Sequence, residues 1–405
     1  MTFKNKLYII ACAIAAAIGL SSCEGIYDSR DNCVNGIRLR FLFDYHMEPG
    51  ANAFAANVDC VTVYVFDQNG NYLTQYTETS SQLMEDNYRM VLPLTEGKYR
   101  LMIYGGVSCA NPSFEISTPW STSRSGADHD NIILSLRHEN GVSKKKLHDI
   151  ETRTGGLFYA FQYRNAEKDY ETVASDNGTQ RRKVWTSNSS TPSGTMEVTV
   201  GSDDYSTDYT DYEVNMMKDT NNIQVILQEL SSNNPVDYND YEYYIVYDNF
   251  VLDAKNRYIS QNAGEHTSTY EPYAYDNVVM GTVDASGREG SLVDIDEAKP
   301  VQVACAEFST SRLFVDHFES AKLIVKAKNN LNDDGTPKTI ISLPLIKYLT
   351  ATRGFGQGWI RSDQEYLDRQ SNWTLYFFLQ YDRWVSATIA VNDWVVRIND
   401  IVLGF

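Results

Sequence analysis

Beyond residue 35 the chain alternates apolar and polar side chains in short runs, the two-residue period of half-buried strands. In "GIRLRFLFDY" Ile37, Leu39, Phe41 and Phe43 fall on one side and Arg38, Arg40 and Leu42 on the other. In "VDCVTVYVFDQNGNYLTQY" Val58 to Phe66 reads as a strand, Asn69-Gly70 as a hairpin turn needing positive φ, and Tyr72 to Tyr76 as the return strand. "NYRMVLPLTEGKYRLMIYGG" predicts a second hairpin of the same kind, Tyr88 to Leu92 turning around Glu96-Gly97 into Tyr99 to Tyr104. "GLFYAFQY" and "TMEVTV" follow as further strands.

A second series opens at "DYEVNMMKDTNNIQVIL" and runs through "YEYYIVYDNFVLDAKNRYI", "AKLIVKAKNNLNDDGTPKTIISLPL", "NWTLYFFLQYD", "SATIAVNDWVVRI" and "DIVLGF". Helical periodicity is confined to "IKYLTATR" and "SDQEYLDRQ", each about two turns. The expected class is all-β, with two tandem β-sandwiches separated near the Ser/Asp/Tyr-rich "VGSDDYSTDYTDY". That places an N-terminal sandwich domain at 33–205 and a C-terminal one at 206–405, since a chain this long exceeds what one core normally holds.

The N-terminus departs from this pattern. Lys4 and Lys6 precede an uncharged apolar run from Leu7 to Leu20, within the length of a secretory h-region and short of a bilayer span. The run ends in Leu20-Ser21-Ser22-Cys23, which resembles the lipobox of bacterial lipoproteins. That resemblance implies a signal peptide over 1–22, acylation of the Cys23 thiol, and a lipidated tether over 23–32. Buried methylenes contribute about 0.8 kcal/mol each, so several acyl chains hold a protein on a membrane without a spanning segment. The acids of the tether, Glu24, Asp28 and Asp31, suit either a surface-export signal or a solvated linker.

Charge narrows the partners. Loss of the leader takes Lys4 and Lys6 and no acid, so the formal charge of −18 becomes −20. Such acidity argues against binding nucleic acid, and "SKKKLH" (143–148) is too short to compensate. Once Cys12 leaves with the leader and Cys23 is acylated, Cys33, Cys60, Cys109 and Cys305 remain. Four thiols allow three connectivities. Cys33 and Cys109 both lie at the edges of strand-like segments and are the expected pair, with buried free thiols as the alternative. No spacing is CxxC, so neither zinc nor thioredoxin-type chemistry is supported.

No constellation points to catalysis. His46, His129, His138, His148, His266 and His317 are scattered without HExxH or another metal-ligand spacing, and neither a GxSxG elbow nor a P-loop occurs. "GFGQGW" (354–359) lacks a strand-to-helix context and reads as a turn. "DQNGN" (67–71) starts like a calcium loop but lacks the distal glutamate, and with "NDDGT" (332–336) reads as a turn. Acid pairs such as Asp294 and Asp296 belong to solvated faces in so acidic a chain. No metal site, cofactor or catalytic residue is assigned.

Several segments carry a family resemblance in order behind the lipobox. "NCVNGIRLRFLFDY", "VDCVTVYVFDQNGNYL" and "EGKYRLMIYGG" resemble the first domain of the FimB/Mfa2 family, the fimbrial anchor lipoproteins of Bacteroidales. "YEVNMMKDTNNIQVIL" resembles the opening strand of that family's second domain, and "YLDRQSNWTLYFFL" with "IAVNDWVVRINDIVL" its closing hairpins. The resemblance implies two transthyretin-like β-sandwiches and a lipid anchor in the outer membrane, facing outward at the base of a fimbrium. It also implies a fimbrial shaft subunit (fimbrillin) as partner and a role in fixing and limiting the polymer, with strand addition at an open sheet edge as a physical means. Related fimbrial subunits mature by proteolysis; Arg153 in "ETRTGG" is expected to be an exposed loop arginine rather than such a site.

A different function class is a carbohydrate-binding surface lipoprotein. "DYNDYEYYIVY" and "STYEPYAYDN" mix aromatic rings with acids and amides. Against this, Tyr241, Tyr243 and Ile245 alternate as one strand face, with Tyr244 and Val246 on the other, and packing is the expected use of these rings.

Overall fold

The computed structural model describes residues 36–43, 52–85, 87–117, 133–144, 152–154, 170–175, 178–186, 196–201, 209–230, 235–253, 256–260, 268–280, 301–354, 360, 362–381, 383–391 and 394–397. The first strands are β1 (Gly36–Phe43), β2 (Cys60–Asp67), β3 (Tyr72–Glu78), β4 (Met90–Leu92) and β5 (Gly97–Gly106), with a four-residue helix α1 (Phe54–Asn57) before β2. There follow β6 (Phe114–Ser117), β7 (Ile133–Leu136), β8 (Val142–Ser143), β9 (Thr152–Thr154), β10 (Tyr170–Ser175), β11 (Gly178–Thr186), β12 (Met196–Val200) and β13 (Tyr209–Lys218). The second half contains β14 (Thr220–Glu229), β15 (Tyr241–Val246), β16 (Val251–Asp253), β17 (Thr269–Tyr270), β18 (Ala274–Met280), β19 (Val301–Ser311), β20 (Lys322–Leu331) and β21 (Pro337–Pro344). Helices α2 (Leu345–Ala351) and α3 (Asp363–Arg369) precede β22 (Asn372–Gln380), β23 (Arg383–Val391) and β24 (Trp394–Arg397).

The expected alternation of β1 holds. Ile37, Leu39, Phe41 and Phe43 are buried and Arg38, Arg40 and Leu42 are not. In the first sandwich, β4, β1 and β13 form one layer, while β12, β5, β2 and β3 form the other. β9 pairs with both β13 and β5 and joins the layers. The space between them is filled by Ile37, Leu39, Phe41, Val61, Val63, Val65, Leu101, Ile103, Val198 and Val214. In the second sandwich the sheet β18-β19-β14-β22-β23-β24 faces the sheet β21-β20-β15-β17-β8. Val225, Leu227, Trp373, Leu375 and Phe377 meet Tyr243, Ile245, Leu323, Val325 and Leu343 between them.

The β2–β3 hairpin turns as expected. Gly70 sits at φ +89°, and Asp67 Oδ1 accepts from the backbone N–H groups of Asn69 and Asn71 at 2.8 and 2.9 Å. The carboxylate that resembled a calcium ligand is thus held by its own turn. Asp334 does the same in "NDDGT", accepting from the N–H and hydroxyl of Thr336 at 3.0 and 2.6 Å. Both short helices form where expected. In α3 Ser362 caps the helix by accepting from Glu365 N–H at 3.1 Å, and Glu365 meets Arg369 one turn on at 3.0 Å.

Three expectations are corrected. The second hairpin does not exist: β4 pairs with β1, and β5 pairs with β2 and β12. Pro93 has no N–H to extend a ladder and Leu94 N–H bonds back to the Leu92 carbonyl at 2.9 Å, so the chain arches from one layer to the other. "YEVNMMK" does not open the second sandwich; as β13 it lies parallel to β1 in the first. Sheet pairing therefore changes over at Asp219, between β13 and β14, rather than at 205/206.

Nor is the division sequential. β6, β7 and β8 come from the first half of the chain, yet β7 pairs with β16 and β8 with β17. β5 is buried on both faces: Leu101 and Ile103 point into the first core, while Met102 and Tyr104 join the second, near Phe114, Leu134 and Leu136. The two sandwiches share this apolar seam. No helix among the described residues is long and apolar enough to cross a membrane.

Candidate functional site

Cys23, the tether over 24–32 and Cys33 lie outside the described residues. β1 is where the described fold begins. It is held on both edges, antiparallel to β4 and parallel to β13 over the eight register pairs from Gly36↔Tyr209 to Phe43↔Met216. Gly36 lies so close to β4 that a Cβ there would sit 2.3 Å from the Leu92 carbonyl oxygen. On the outer face the arginines of β1 meet acids directly opposite in register. Arg38 Nε lies 2.9 Å from Asp211 Oδ1 and Arg40 Nη1 lies 3.2 Å from Glu213 Oε1.

The disulfide differs from the expected pair. Cys109 is bonded to Cys60, not to Cys33. Antiparallel pairing of β2 with β5 sets Cys60 opposite Gly106, and the turn that follows returns Cys109 to a Cα separation of 6.0 Å from Cys60. The bridge stands where the chain leaves the first sandwich to build β6, β7 and β8 in the second. Cys305 is free and buried on β19, and burial pushes its thiol up to about 11, away from thiolate chemistry.

The changeover at Asp219 is a buried polar joint. Asn256, at φ +58°, donates from Nδ2 to Asp219 Oδ1 at 2.8 Å. The Asn256 carbonyl accepts from Arg312 Nη1, and Arg312 closes a two-pronged pair with Asp368, Nε to Oδ1 at 2.8 Å and Nη2 to Oδ2 at 2.7 Å. Asn249 Nδ2 donates to the Arg312 carbonyl at 2.8 Å, and Asn249 Oδ1 accepts from the Tyr270 hydroxyl at 2.6 Å. Lys218 donates to Ser371 Oγ at 3.3 Å, and burial draws its ammonium down to about 8. Nothing in the sequence marks this cluster, because its members are single polar residues scattered between Lys218 and Ser371.

Other sequence candidates are placed as follows. His138 Nδ1 accepts from Gly141 N–H at 3.1 Å within a turn, and His317 packs 3.9 Å from the Tyr258 ring. His46, His129, His148, His266, Asp294, Asp296 and residues 355–359 of "GFGQGW" lie outside the described residues. Among the described residues no group of three or more His, Cys, Asp or Glu could hold a metal ion. Arg153 belongs to strand β9, between β5 and β13, and not to a loop. Lys144, from "SKKKLH", pairs with Glu271 at 2.7 Å. Tyr241, Tyr243 and Ile245 are buried as one strand face, as alternation predicts. Tyr275 is different: on β18 it is 43% exposed and stacks on Tyr238 at 5.6 Å.

What this arrangement does chemically is bond to itself. The polar side chains cap turns, pair across strands and close the joint; their geometry is that of a scaffold. A model of the fimbrillin-A associated anchor proteins Mfa1 and Mfa2 matches residues 29–151 and 163–400. The chain belongs to this family. The Mfa2 family is one of fimbrial anchor and adhesin-type structural proteins and not of enzymes. A solved structure of a candidate adhesin from Bacteroides thetaiotaomicron is similar at 32% identity and TM-score 0.65, over 91% of this chain and 99% of that one. A second, described as a candidate polysaccharide-binding protein from the same organism, has 25% identity and TM-score 0.61 over 90% and 99%. The fimbrial anchor protein Mfa2 from Porphyromonas gingivalis shares the fold at 13% identity and TM-score 0.50, over 89% and 99%. No curated protein matches the chain.

Proposed function

We propose that this protein is a lipoprotein of the outer membrane, acylated at Cys23 and facing outward, that fixes the base of a fimbrium to the cell. By contact with the first shaft subunit it also limits the length of the polymer. The family match over 29–151 and 163–400 is the observation that carries this reading. Leu20-Ser21-Ser22-Cys23 supports the membrane half of it, and a thiol is what thioether formation requires. Strand addition is supported by β18, which among the described strands pairs only with β19 and exposes Val278 and Val279, the latter by 65%. Deletion of the gene is expected to release fimbriae into the medium. Cys23→Ser should release the protein itself from the membrane fraction. Fimbriae that stay cell-bound at unchanged length in the deletion strain would refute anchoring, and resistance of the intact chain to protease shaving of cells would refute the outward facing.

A second reading, binding of carbohydrate, is favoured by one observation. The exposed Tyr275 ring stacked on Tyr238 is bordered by Asn277, whose Oδ1 accepts from Tyr238 N–H at 3.0 Å, in the manner of an aromatic platform for a sugar face. Mobility in affinity gels cast with candidate polysaccharides decides it: retardation lost in Tyr275→Ala supports binding, and unretarded migration in every glycan rejects it.

A further inference from the structure

The topology assigns the β1–β13 ladder a mechanical role: we propose that it is a shear clamp carrying tension between the membrane tether and the second sandwich. This rests on the anchoring reading, which puts one pull on the N-terminal side of β1 and the other on whatever the shaft grips.

The direction of the two pulls follows from the pairing. β1 and β13 are parallel, so Gly36 and Tyr209 share one end of the ladder and Phe43 and Met216 the other. A pull on the tether enters β1 at Gly36. A pull on the second sandwich leaves β13 through Lys218 and Asp219 into β14. The forces act at opposite ends of two side-by-side strands and point apart along the strand axis. All eight register pairs are then strained together. An antiparallel partner would put both attachments at one end, and the ladder would open pair by pair.

Side chains on both faces resist the slide. On the outer face Arg38–Asp211 and Arg40–Glu213 are paired in register, so displacement along the axis stretches both bridges at once. On the inner face Ile37, Leu39, Phe41 and Phe43 interlock with Tyr212, Val214 and Met216. A slip of one residue, about 3.3 Å, would turn Arg38 and Arg40 into the core and the apolar row outward. The next register that restores the faces is two residues away, and reaching it breaks the whole ladder. β4 grips the other edge of β1 at Ile37 and Leu39.

Beyond the clamp the tension passes through the buried joint. Asp219 is fully enclosed and held by Asn256, and the next strand, β14, is central in its sheet, paired over eight register positions with β19 and eight with β22. The apolar seam on Met102 and Tyr104 is a further hold between the sandwiches and opposes hinging at the joint.

Single-molecule force spectroscopy on the leaderless chain in a Cys33→Ser background tests this. One handle is held by Cys23 and the other by Asp334→Cys, in the exposed β20–β21 turn, for the shear axis; Glu96→Cys, in the connection that leaves β4 at the Gly36 end of the ladder, replaces it for the peel axis. Rupture along the Asp334 axis is expected at roughly twofold or greater force than along the Glu96 axis, because the ladder bonds break together rather than in turn. Arg38→Ala with Arg40→Ala should lower the first force and leave the second little changed. The axis comparison keeps the native ladder intact, so it stands even if that double variant folds poorly. Equal forces along the two axes overturn the clamp. Released fimbriae in the deletion strain together with equal forces would sink the clamp alone, whereas retained fimbriae with a clear force difference would sink the anchoring reading alone.

Discussion

Arg312 and Asp368 are each only 4% exposed at the side chain, and removing one partner of that pair is a sharp test of the joint. Asp368→Leu takes away the acceptors of Arg312 Nε and Nη2, at 2.8 and 2.7 Å, and one acceptor of Gln364 Nε2, at 3.0 Å. Gln364 keeps the Leu313 carbonyl and Arg312 keeps the Asn256 carbonyl, but the enclosed guanidinium loses the carboxylate that meets it on two prongs. The cost expected for a buried charge stripped of its partner is about 3–5 kcal/mol. Removing both charges, in Arg312→Met with Asp368→Leu, takes the Arg312 donor from the Asn256 carbonyl, at about 1–3 kcal/mol, and should cost less than Asp368→Leu alone. Urea unfolding followed by tryptophan fluorescence reads this locally, since buried Trp373 packs edge-on to Tyr366 of α3 at 5.5 Å, two residues from Asp368. A loss below about 1 kcal/mol for Asp368→Leu at an unchanged m-value, or a double variant worse than either single one, would refute the account of the joint as a closed ionic cluster.

Three further outcomes are expected. Cys60→Ala with Cys109→Ala opens a bridge between residues 49 apart, which loop-closure entropy values at roughly 4 kcal/mol; equal urea midpoints with and without the bridge would contradict that. Gly36→Ala forces a methyl against the Leu92 carbonyl and should lose about 1–3 kcal/mol in the same assay, with wild-type stability as the contrary result. Burial of His317 against Tyr258 and Tyr247 holds its imidazole below the ordinary value near 6.5, despite the opposing pull of Asp248 and Asp316. The unfolded chain then binds the proton more readily, so this contribution is complete above about pH 6.5 and declines as pH falls through the folded-state value. His317→Gln should flatten that slope in stability measured against pH, and an unaltered slope would show that other groups set it.

The strand pattern was legible where one face is buried and the other wet. β1, β2 and β15 keep the alternation read from their sequences, and the Asn69-Gly70 turn and the two short helices are local features that depend on neighbours in the chain. Pairing was not legible. The alternation of Tyr209–Lys218 marks a strand but carries no sign of its partner, and that partner is a strand begun 173 residues earlier. The false hairpin at Glu96-Gly97 has the same origin: the glycine marks a reversal, while Pro93 turns it from an in-plane reversal into an arch between layers. Cysteine spacing left three connectivities open, and the β2–β5 register decides among them for Cys60 and Cys109. The lipid attachment at Cys23 was the clearest chemical reading of the sequence, and it lies outside the described residues. The joint of Asp219, Asn256, Arg312 and Asp368 was invisible because tertiary proximity alone makes those four residues a group.

The wide spacing of β1 and β13 also sets a timetable. A chain threaded through a membrane N-terminus first presents β1 long before β13 exists, and in the interval β1 can be gripped on one edge only, by β4. The first sandwich cannot close until residue 218 has emerged, and by then β6, β7 and β8 are waiting for β16 and β17, further along still. Long-range pairing of this kind folds slowly and leaves unpaired edges open to other chains. Folding of a chain that emerges N-terminus first, from the ribosome or across a membrane, is here a race between emergence and aggregation, and an escort that covers strand edges has its greatest effect on the stretch between β1 and β13.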